Sequence, residues 1–180
     1  MSTPARPLVA VLLGTDCHRF DRVVRWVQQA SASSDVNWFV QHGSTPLPPG
    51  LPGTPLLEAD ELDRLLIRAA AVVTHGGPGL IMESRTHGHF PVVVARDPGL
   101  REHVDHHQQR FVTRIAAAGL CTAVNSRSEL EAAVGTALTS GRTTTQRESG
   151  GLTEKVGDLI DALVAAGRTD RRTGRIAWLR

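Results

Sequence analysis

The sequence predicts an α/β fold in which helices cover both faces of a parallel β-sheet. Short apolar runs, such as Leu8–Leu13 and Pro91–Ala95, have the length and composition of buried strands. Segments with apolar residues at helical spacing alternate with these runs along the chain. Two turns, Gly14-Thr15 and His75–Gly79, directly follow apolar runs. Because ligands of such sheets bind at the carboxyl ends of the strands, we expect these turns to converge on one cleft.

Strand and helix alternate in the first half of the chain. Leu8–Leu13 predicts a buried strand, and the turn Gly14-Thr15 ends it. Asp21–Gln29 has valines at helical spacing and an acidic residue in its first turn. The next predicted elements are a strand at Asn37–Gln41 closed by His42-Gly43, a Pro- and Gly-rich loop from Ser44 to Pro55, a short extended piece at Leu56-Leu57, and a helix that begins at Asp60.

The second half continues the same alternation. The apolar run Ala70–Thr74 leads directly into the second glycine turn, and a helix follows from about Leu80 to His87. The later elements are a strand at Pro91–Ala95, a helix at Val104–Ala118, a strand at Leu120–Val124, a helix at Ser128–Leu138 capped by Ser126 or Ser128, a polar connection at Thr139–Gly151, and a final helix at Leu152–Ala166. We expect one domain over residues 1–167 and a basic tail over residues 168–180.

Composition excludes several classes of protein. The 180 residues, 41% of them hydrophobic, suit one compact domain, and no apolar run approaches the length of a membrane span. Met1–Pro7 does not resemble a signal peptide, and two cysteines are too few for a disulfide framework, so we expect a reducing cytoplasm. With 4% aromatic residues and a net charge of +2, nucleic-acid binding is not expected.

The strongest signal for a ligand lies at Thr74–Glu83. A buried strand runs into three glycines and then into a helix. Glycines let the backbone approach a phosphate closely, and free N–H groups in the first helical turn favour a diphosphate. Glu83 lies about one turn into that helix, where its carboxylate can accept hydrogen bonds from a ribose diol. A strand-to-helix turn that only requires positive φ values is the alternative interpretation.

A second polar segment, His103–Gln109, has three possible interpretations. Its neutral donors and acceptors suit the recognition of sugar hydroxyls. His103, Asp105, His106 and His107 are also possible metal ligands. A solvated polar helix face is the third possibility. We expect no metal, because the metallo-β-lactamase-like pattern would require a histidine at Arg101 and no second ligand cluster is evident.

The third segment, Gly14–Asp21, could supply further contacts to a phosphate. It lacks the glycine pattern of a dinucleotide site, and no Walker sequence is present, so NAD and ATP are disfavoured. Cys17 and His18 are adjacent in sequence. Because adjacent side chains point in different directions, the sequence favours a buried, inert cysteine over a nucleophile–base pair.

Together the three segments resemble the carboxyl-terminal domain of glycosyltransferase family 28, which includes MurG and the PssE-type subunits of exopolysaccharide synthesis. The order of the motifs is similar as well as their content. The matching stretches are Gly14-Thr15 with Phe20–Val24, Gln41-His42-Gly43, His75–Glu83, and His107-Gln108. The resemblance implies a Rossmann-like sheet that forms the carboxyl-terminal half of a GT-B glycosyltransferase.

The resemblance also implies roles for matching positions. The diphosphate of a UDP-sugar would be held by His75, Gly76, Gly77, Pro78, Gly79 and Leu80. Glu83 would bind the ribose, the loop at Glu58-Ala59 the uracil, and the start of the later helix the sugar, through His107, Gln108 and Gln109. The cleft would also contain Gly14, Thr15, His18 and His42. His18 is one candidate for the catalytic base, and a residue of a partner subunit is the alternative. Leu80 stands where the family usually has Ser or Thr, and His106 where Asn or Asp is usual.

The implied activity is transfer of a sugar from UDP-GlcNAc or UDP-glucuronate to a lipid-linked acceptor, with no cofactor. In the two-subunit relatives a separate membrane-associated subunit brings that acceptor, so we expect a cytoplasmic chain recruited to the inner face of the membrane by such a partner. The final helix and the tail with Trp178 and Leu179 are the candidate docking segment. Two alternatives stay open: a non-catalytic nucleotide-sugar-binding protein, and a metal-dependent hydrolase built on His103–His107.

Overall fold

The computed structural model describes residues 5–142 of the chain. The predicted helix Leu152–Ala166 and the basic tail lie outside these residues, and so does the candidate docking segment. The division into a domain at residues 1–167 and a tail at residues 168–180 therefore stays a prediction.

Six parallel strands form one sheet in the described part of the chain. In chain order they are β1 (Leu8–Leu12), β2 (Asn37–Gln41), β3 (Gly53–Thr54), β4 (Ala71–His75), β5 (Val92–Val94) and β6 (Thr122–Ala123). Their order across the sheet is β3-β2-β1-β4-β5-β6, so the chain reverses its direction of winding between β1 and β4. In open α/β sheets such a reversal leaves a crevice at the carboxyl ends of the two strands.

Helices pack on both faces of the sheet, as the sequence predicts. They are α1 (Asp21–Ser33), α2 (Ala59–Arg68), α3 (Pro78–Thr86), α4 (His107–Ala117) and α5 (Arg127–Ser140). Alternate strand residues face opposite sides, and this produces two apolar clusters. One contains Val9 and Val73 with Val27 of α1 and Leu130 of α5, whereas the other contains Leu12 with side chains of α2. Ser126 caps α5 by accepting a hydrogen bond from the Glu129 backbone N–H at 3.2 Å, which confirms one of the two predicted caps.

Two predicted elements are corrected by the structure. The short edge strand is Gly53–Thr54 and not Leu56-Leu57, because Gly53 and Thr54 are the residues that pair with Val40 and Gln41 of β2. Gly53 lies so close to β2 that a Cβ there would approach the Val40 carbonyl oxygen to 2.2 Å. The fourth helix begins at His107 and not at Val104. Asp105 accepts a hydrogen bond from the His107 backbone N–H, and a 3₁₀ turn at Pro98–Leu100 takes up part of the connection before it. In the described range no helix is long and apolar enough to cross a membrane.

Candidate nucleotide-sugar site

A cleft of about 520 Å³ opens at the carboxyl ends of β1 and β4 and at the start of α3. It therefore lies at the topological reversal, where a ligand is expected in such a sheet. Seven glycine or polar residues and four leucines line it. The lining residues are Gly14, Thr15, Asp16, Gln41, Leu56, Leu57, Leu62, His75, Gly77, Gly79 and Leu80.

His75 forms the centre of this cleft. Its Nδ1 accepts a hydrogen bond from the Gly77 backbone N–H at 3.1 Å, so Nε2 carries the proton of the neutral ring. Burial, and then the nearby Arg96 guanidinium, lower the pKa of His75 to about 4. The imidazole is therefore neutral near pH 7 and offers a hydrogen-bond donor, not a positive charge, to an anionic ligand.

Glycines surround that imidazole because a side chain would occupy its space. A Cβ at Gly77 would lie 2.2 Å from His75 Cε1, and one at Gly14 would lie 2.7 Å from Nε2. Gly14 also has φ +76°, a conformation that glycine adopts without strain. By contrast, Gly79 has open space around it, so a ligand can approach its backbone closely. The glycines of the sequence motif thus serve two purposes, packing of the imidazole and access to the helix start.

Gln41, at the end of β2, links two segments of the cleft through hydrogen bonds of its side chain. Its Oε1 accepts from the Gly14 backbone N–H at 2.9 Å, and its Nε2 donates to the carbonyls of Gly14 at 3.1 Å and Pro55 at 2.8 Å. The side chain is buried. It therefore joins the loop after β1 to the segment that leads into α2.

A buried arginine that is not among the predicted site residues holds the loop after β1 from the other side. Arg96 is 1% exposed, and its guanidinium donates to the carbonyls of Leu13 at 2.9 Å and of His18 at 2.7 Å. It also donates to the Glu102 carbonyl, while the Glu102 carboxylate pairs with Arg22 at 2.7 Å. No local pattern in the sequence indicates the contacts of Arg96 with Leu13 and His18, because they join residues about 80 positions apart.

The loop after β1 contains an aspartate–histidine pair. Asp16 Oδ1 lies 2.6 Å from His18 Nδ1 and accepts from the His18 backbone N–H at 2.7 Å. Burial raises the pKa of Asp16, but these two hydrogen bonds and the Arg96 charge outweigh it, so the pKa falls below its usual value. Asp16 lines the cleft, whereas His18 is not among the lining residues. Asp16 is not among the predicted site residues, although its two-residue spacing from His18 is a common side-chain-to-backbone turn pattern.

The prediction of a buried cysteine at position 17 is wrong. Cys17 is exposed, and its Sγ lies 3.6 Å from His18 Nδ1. The loop turns around the Asp16 carboxylate, which brings the neighbouring side chain back toward the imidazole. Cys121, by contrast, is buried, and burial raises the pKa of its thiol to about 11.

The predicted sugar-reading residues lie at the start of α4. His107 is half-exposed and pairs with Asp105, and the Gln109 amide oxygen is 2.7 Å from His106 Nδ1. Gln108 is buried, and its Oε1 accepts from the Arg96 backbone N–H at 3.3 Å. This amide therefore supports the strand end that carries Arg96, and its role at a sugar stays a prediction.

Five other predicted positions lie around the cleft and not in its lining. Gly76 packs against α4, Pro78 is the first residue of α3, and Ala59 is the exposed first residue of α2. Glu83 lies on α3 with its side chain 48% exposed. His42 follows β2, and within residues 5–142 its buried Nδ1 has no hydrogen-bond partner.

Comparison with known proteins agrees with this arrangement. Residues 14–163 match the glycosyltransferase family 28 C-terminal domain, so the match includes every predicted site residue. The chain belongs to glycosyltransferase family 28. No curated protein sequence gives a significant match.

Solved glycosyltransferase structures share the fold of this family 28 domain. The calicheamicin glycosyltransferase CalG4 has a TM-score of 0.58 and 20% identity, over 97% of this chain and 44% of that one. The spinosyn rhamnosyltransferase SpnG, complexed with thymidine diphosphate, has a TM-score of 0.51 and 18% identity, over 93% of this chain and 45% of that one. SnogD from Streptomyces nogalater has a TM-score of 0.50 and 16% identity, with coverages of 91% and 41%.

The family 28 chain thus spans less than half the length of these structures. Together with the parallel six-stranded sheet, the match confirms the predicted fold, that of the carboxyl-terminal half of a GT-B glycosyltransferase.

Proposed function

We propose that this chain is the donor-binding half of a glycosyltransferase, which moves a sugar from UDP-GlcNAc or UDP-glucuronate to a lipid-linked acceptor. One observation supports the proposal above all others. The cleft joins a neutral histidine, a glycine with open space around it and the free N–H groups at the start of α3, and this combination suits a diphosphate.

The leucines in the cleft favour a ligand with an apolar, flat portion next to the diphosphate. Leu56, Leu57 and Leu62 line the side of the cleft toward α2. A nucleobase packed against them would lie next to Ala59, the position that the family resemblance assigns to uracil. Glu83, one turn into α3, would then accept hydrogen bonds from the ribose.

The candidate general base is His18, oriented by Asp16. The short contact between Asp16 Oδ1 and His18 Nδ1 holds the imidazole with Nδ1 protonated and leaves Nε2 to accept a proton. In the proposed reaction, Nε2 removes the proton from the acceptor hydroxyl while that oxygen forms a bond to the sugar C1. The bond between C1 and the diphosphate breaks, and its electron pair leaves with UDP.

The acceptor is proposed to come from a separate, membrane-associated subunit. The chain spans less than half the length of the glycosyltransferase structures that share its fold, and the proposal assigns acceptor binding to this subunit, as the family resemblance implies. Under this proposal the chain works in the cytoplasm and is recruited to the inner face of the membrane. No nucleic acid takes part.

Calorimetric titration of the full chain tests the proposal directly. UDP, UDP-GlcNAc, UDP-glucuronate and TDP are compared, each with and without EDTA, because one similar structure contains thymidine diphosphate. We expect one UDP-sugar to bind with 1:1 stoichiometry and with the same affinity in EDTA. If none of the four ligands binds, either alone or with the candidate partner present, the proposal is wrong.

Glu83→Ala locates the ribose. We expect it to weaken UDP binding by about 1–3 kcal/mol, the cost of unpaired polar groups. Asp63→Asn is the matched control, since both carboxylates lie near His87 but only Glu83 is assigned to the ligand. Equal UDP affinities of the two variants would show that Glu83 does not bind the ribose.

Leu80 favours a second candidate, a nucleotide-sugar-binding protein that does not transfer. It lines the cleft where the family usually offers a hydroxyl, and it also packs against the apolar cluster of α2. Transfer of the sugar by the chain with its partner would exclude this candidate. Tight binding without turnover in every pairing would support it.

A further inference from the structure

Three histidines and two aspartates form a cluster next to the nucleotide-sugar cleft. Asp16 and His18 come from the loop after β1, whereas His103, Asp105 and His107 come from the connection before α4. The rings of His103 and His107 meet edge to face with centroids 4.6 Å apart, and those of His18 and His103 are 5.9 Å apart. Apart from Asp16, none of the five lines the cleft, and the proposed donor site gives no role to His103 or Asp105.

The donor atoms of His103, Asp105 and His107 have the spacing of an expanded metal site. One ligand atom from each lies within 4.8 Å of the other two. Around a zinc ion with bonds of about 2.0–2.1 Å, neighbouring ligands lie roughly 3.4 Å apart. The side chains of Asp105 and His107 are about half exposed, so small rotations can close this difference.

The existing contact between Asp105 and His107 also suits an ion. Asp105 Oδ1 lies 2.5 Å from His107 Nδ1, so the two groups already face each other, and the exposed imidazole has to move back by only about 1 Å to reach the separation of roughly 3.4 Å between two ligands of one ion. Asp105 has a second carboxylate oxygen, so it can bind an ion while Oδ1 keeps its hydrogen bond to the His107 backbone N–H.

An independent contact on the far side of His103 points in the same direction. Its Nε2 lies 3.4 Å from Asp16 Oδ2, while its Nδ1 lies 3.5 Å from the Asp105 backbone nitrogen. One ring nitrogen therefore faces a carboxylate, and the other accepts only a long hydrogen bond from the Asp105 backbone N–H, which an ion bound to that nitrogen would replace. Metal-binding histidines almost always have this arrangement, because the outer carboxylate fixes the tautomer and orients the ring. His103 is also the least exposed member of the cluster, with 13% of its side chain accessible.

We propose that His103, Asp105 and His107 bind one divalent transition-metal ion, with Asp16 as the outer carboxylate behind His103. Two imidazoles and one carboxylate favour zinc, cobalt or nickel over magnesium or calcium, which prefer oxygen ligands. The remaining coordination positions face solvent, since Asp105 and His107 are half exposed. This inference departs from the sequence-based expectation of no metal, and it does not depend on nucleotide-sugar binding.

Titration of the untagged full chain with Zn²⁺, followed by calorimetry, tests the proposal, and Co²⁺ titration followed by visible absorption reports on the ligand geometry. We expect one ion per chain and a change in the cobalt spectrum on binding. His107→Ala and Asp105→Asn are each expected to lower the affinity at least about tenfold, and Asp16→Asn about 10-fold to 100-fold, the range for outer-shell partners. Asp105→Asn keeps an acceptor for the His107 backbone N–H, so it preserves the start of α4.

His106→Ala is the matched control, because His106 is adjacent in sequence and exposed but lies outside the cluster. We expect it to bind zinc as the unchanged chain does. Equal losses in His106→Ala and His107→Ala would overturn the proposal in favour of nonspecific surface histidines. A loss of zinc affinity in Cys17→Ser without one in His107→Ala would instead place the ion at Asp16, Cys17 and His18, which also lie within ligand distance of one another. Absence of zinc binding by the unchanged chain would refute the proposal outright.

Discussion

His75 shows how a single side chain determines the chemistry of the cleft. Its environment holds the ring neutral near pH 7, because burial and the Arg96 charge both act against protonation. A diphosphate in this cleft would therefore be recognised by N–H donors and the helix start, without an ion pair from this histidine. Its tautomer is specified by the Gly77 backbone N–H, which occupies Nδ1.

The first prediction separates two glycines of the same motif. Gly77→Ala places a methyl group 2.2 Å from His75 Cε1, whereas Gly79→Ala meets open space. We expect Gly77→Ala to lower the free energy of unfolding by about 1–3 kcal/mol, the usual cost of overpacking. Gly79→Ala, inside the first turn of α3, should leave it unchanged or raise it by up to about 1 kcal/mol, because alanine favours the helix.

Urea unfolding of both variants measures this difference. A loss of stability in Gly79→Ala as large as that in Gly77→Ala would mean that the motif requires glycine for the backbone and not for the imidazole. UDP affinity, measured on the same samples, should fall in Gly77→Ala, since the imidazole must move.

At the scale of secondary structure elements, Arg96 joins the end of β5 to the loop after β1. It donates to backbone carbonyls on both sides of Asp16, at Leu13 and at His18. The loop that carries the candidate base therefore has its position set by a residue of a different strand. Two elements that are remote in sequence thus form one wall of the site.

The second prediction concerns this connection. Arg96→Met removes the guanidinium and leaves buried carbonyls without donors, so we expect the free energy of unfolding to fall by about 3 kcal/mol or more. Arg101→Met is the matched control, because Arg101 is exposed and its left-handed backbone (φ +60°) is strained by either side chain. Chemical denaturation compares the two. A similar, small effect in both variants would show that the loop does not depend on Arg96.

His87 makes an equivalent connection between α2 and α3. Its Nε2 lies 2.7 Å from Asp63 Oδ1 and its Nδ1 lies 2.9 Å from the Glu83 carbonyl. Both partners are acceptors, so the ring satisfies both only when it is doubly protonated. Burial lowers the pKa of His87, but the Glu83 carbonyl and the Asp63 carboxylate outweigh it and raise the pKa above the usual 6.5.

The third prediction is the pH dependence that follows. A raised pKa in the folded state means that the contribution of His87 is fully present below pH 6.5 and is lost as the pH rises through the folded-state pKa. The contribution of His89 to stability depends on pH in the opposite direction, because burial lowers its pKa. The two are separated by subtracting the stability–pH curve of His87→Ala from that of the unchanged chain. A difference that grows with rising pH would contradict the assignment.

At the scale of the whole molecule, the sheet has a stable centre and short edges. β1 and β4 each have five residues and lie in the middle, whereas β3 and β6 each have two. The fourth prediction is that backbone amides of β1 and β4 exchange slowest with deuterium and those of β3 and β6 fastest, because local opening requires fewer broken contacts at the edges. Hydrogen exchange followed by mass spectrometry measures this order. Equal rates in central and edge strands would contradict it.

The sequence predicted the order of the elements and the place of the cleft, and the reason is local. Runs such as Ala70–Thr74 followed by glycines carry their own signal of strand, turn and helix start. It did not predict the contacts of Arg96 and Gln41, because each joins segments whose proximity exists only after the sheet has formed. It also placed the edge strand incorrectly, since Gly53 and Thr54 lack the apolar character that usually indicates a strand.

The central position of β1 has a consequence for the order of folding. β1 is made first, yet it pairs with β4 more than 60 residues later, and Arg96 reaches Leu13 across 83 positions. Closing such long loops is slow compared with forming helices. A chain still emerging from the ribosome can form α1, but it has no cleft until β4 and α3 have been synthesised. Nucleotide binding by a nascent chain would therefore report that the central strands have already met.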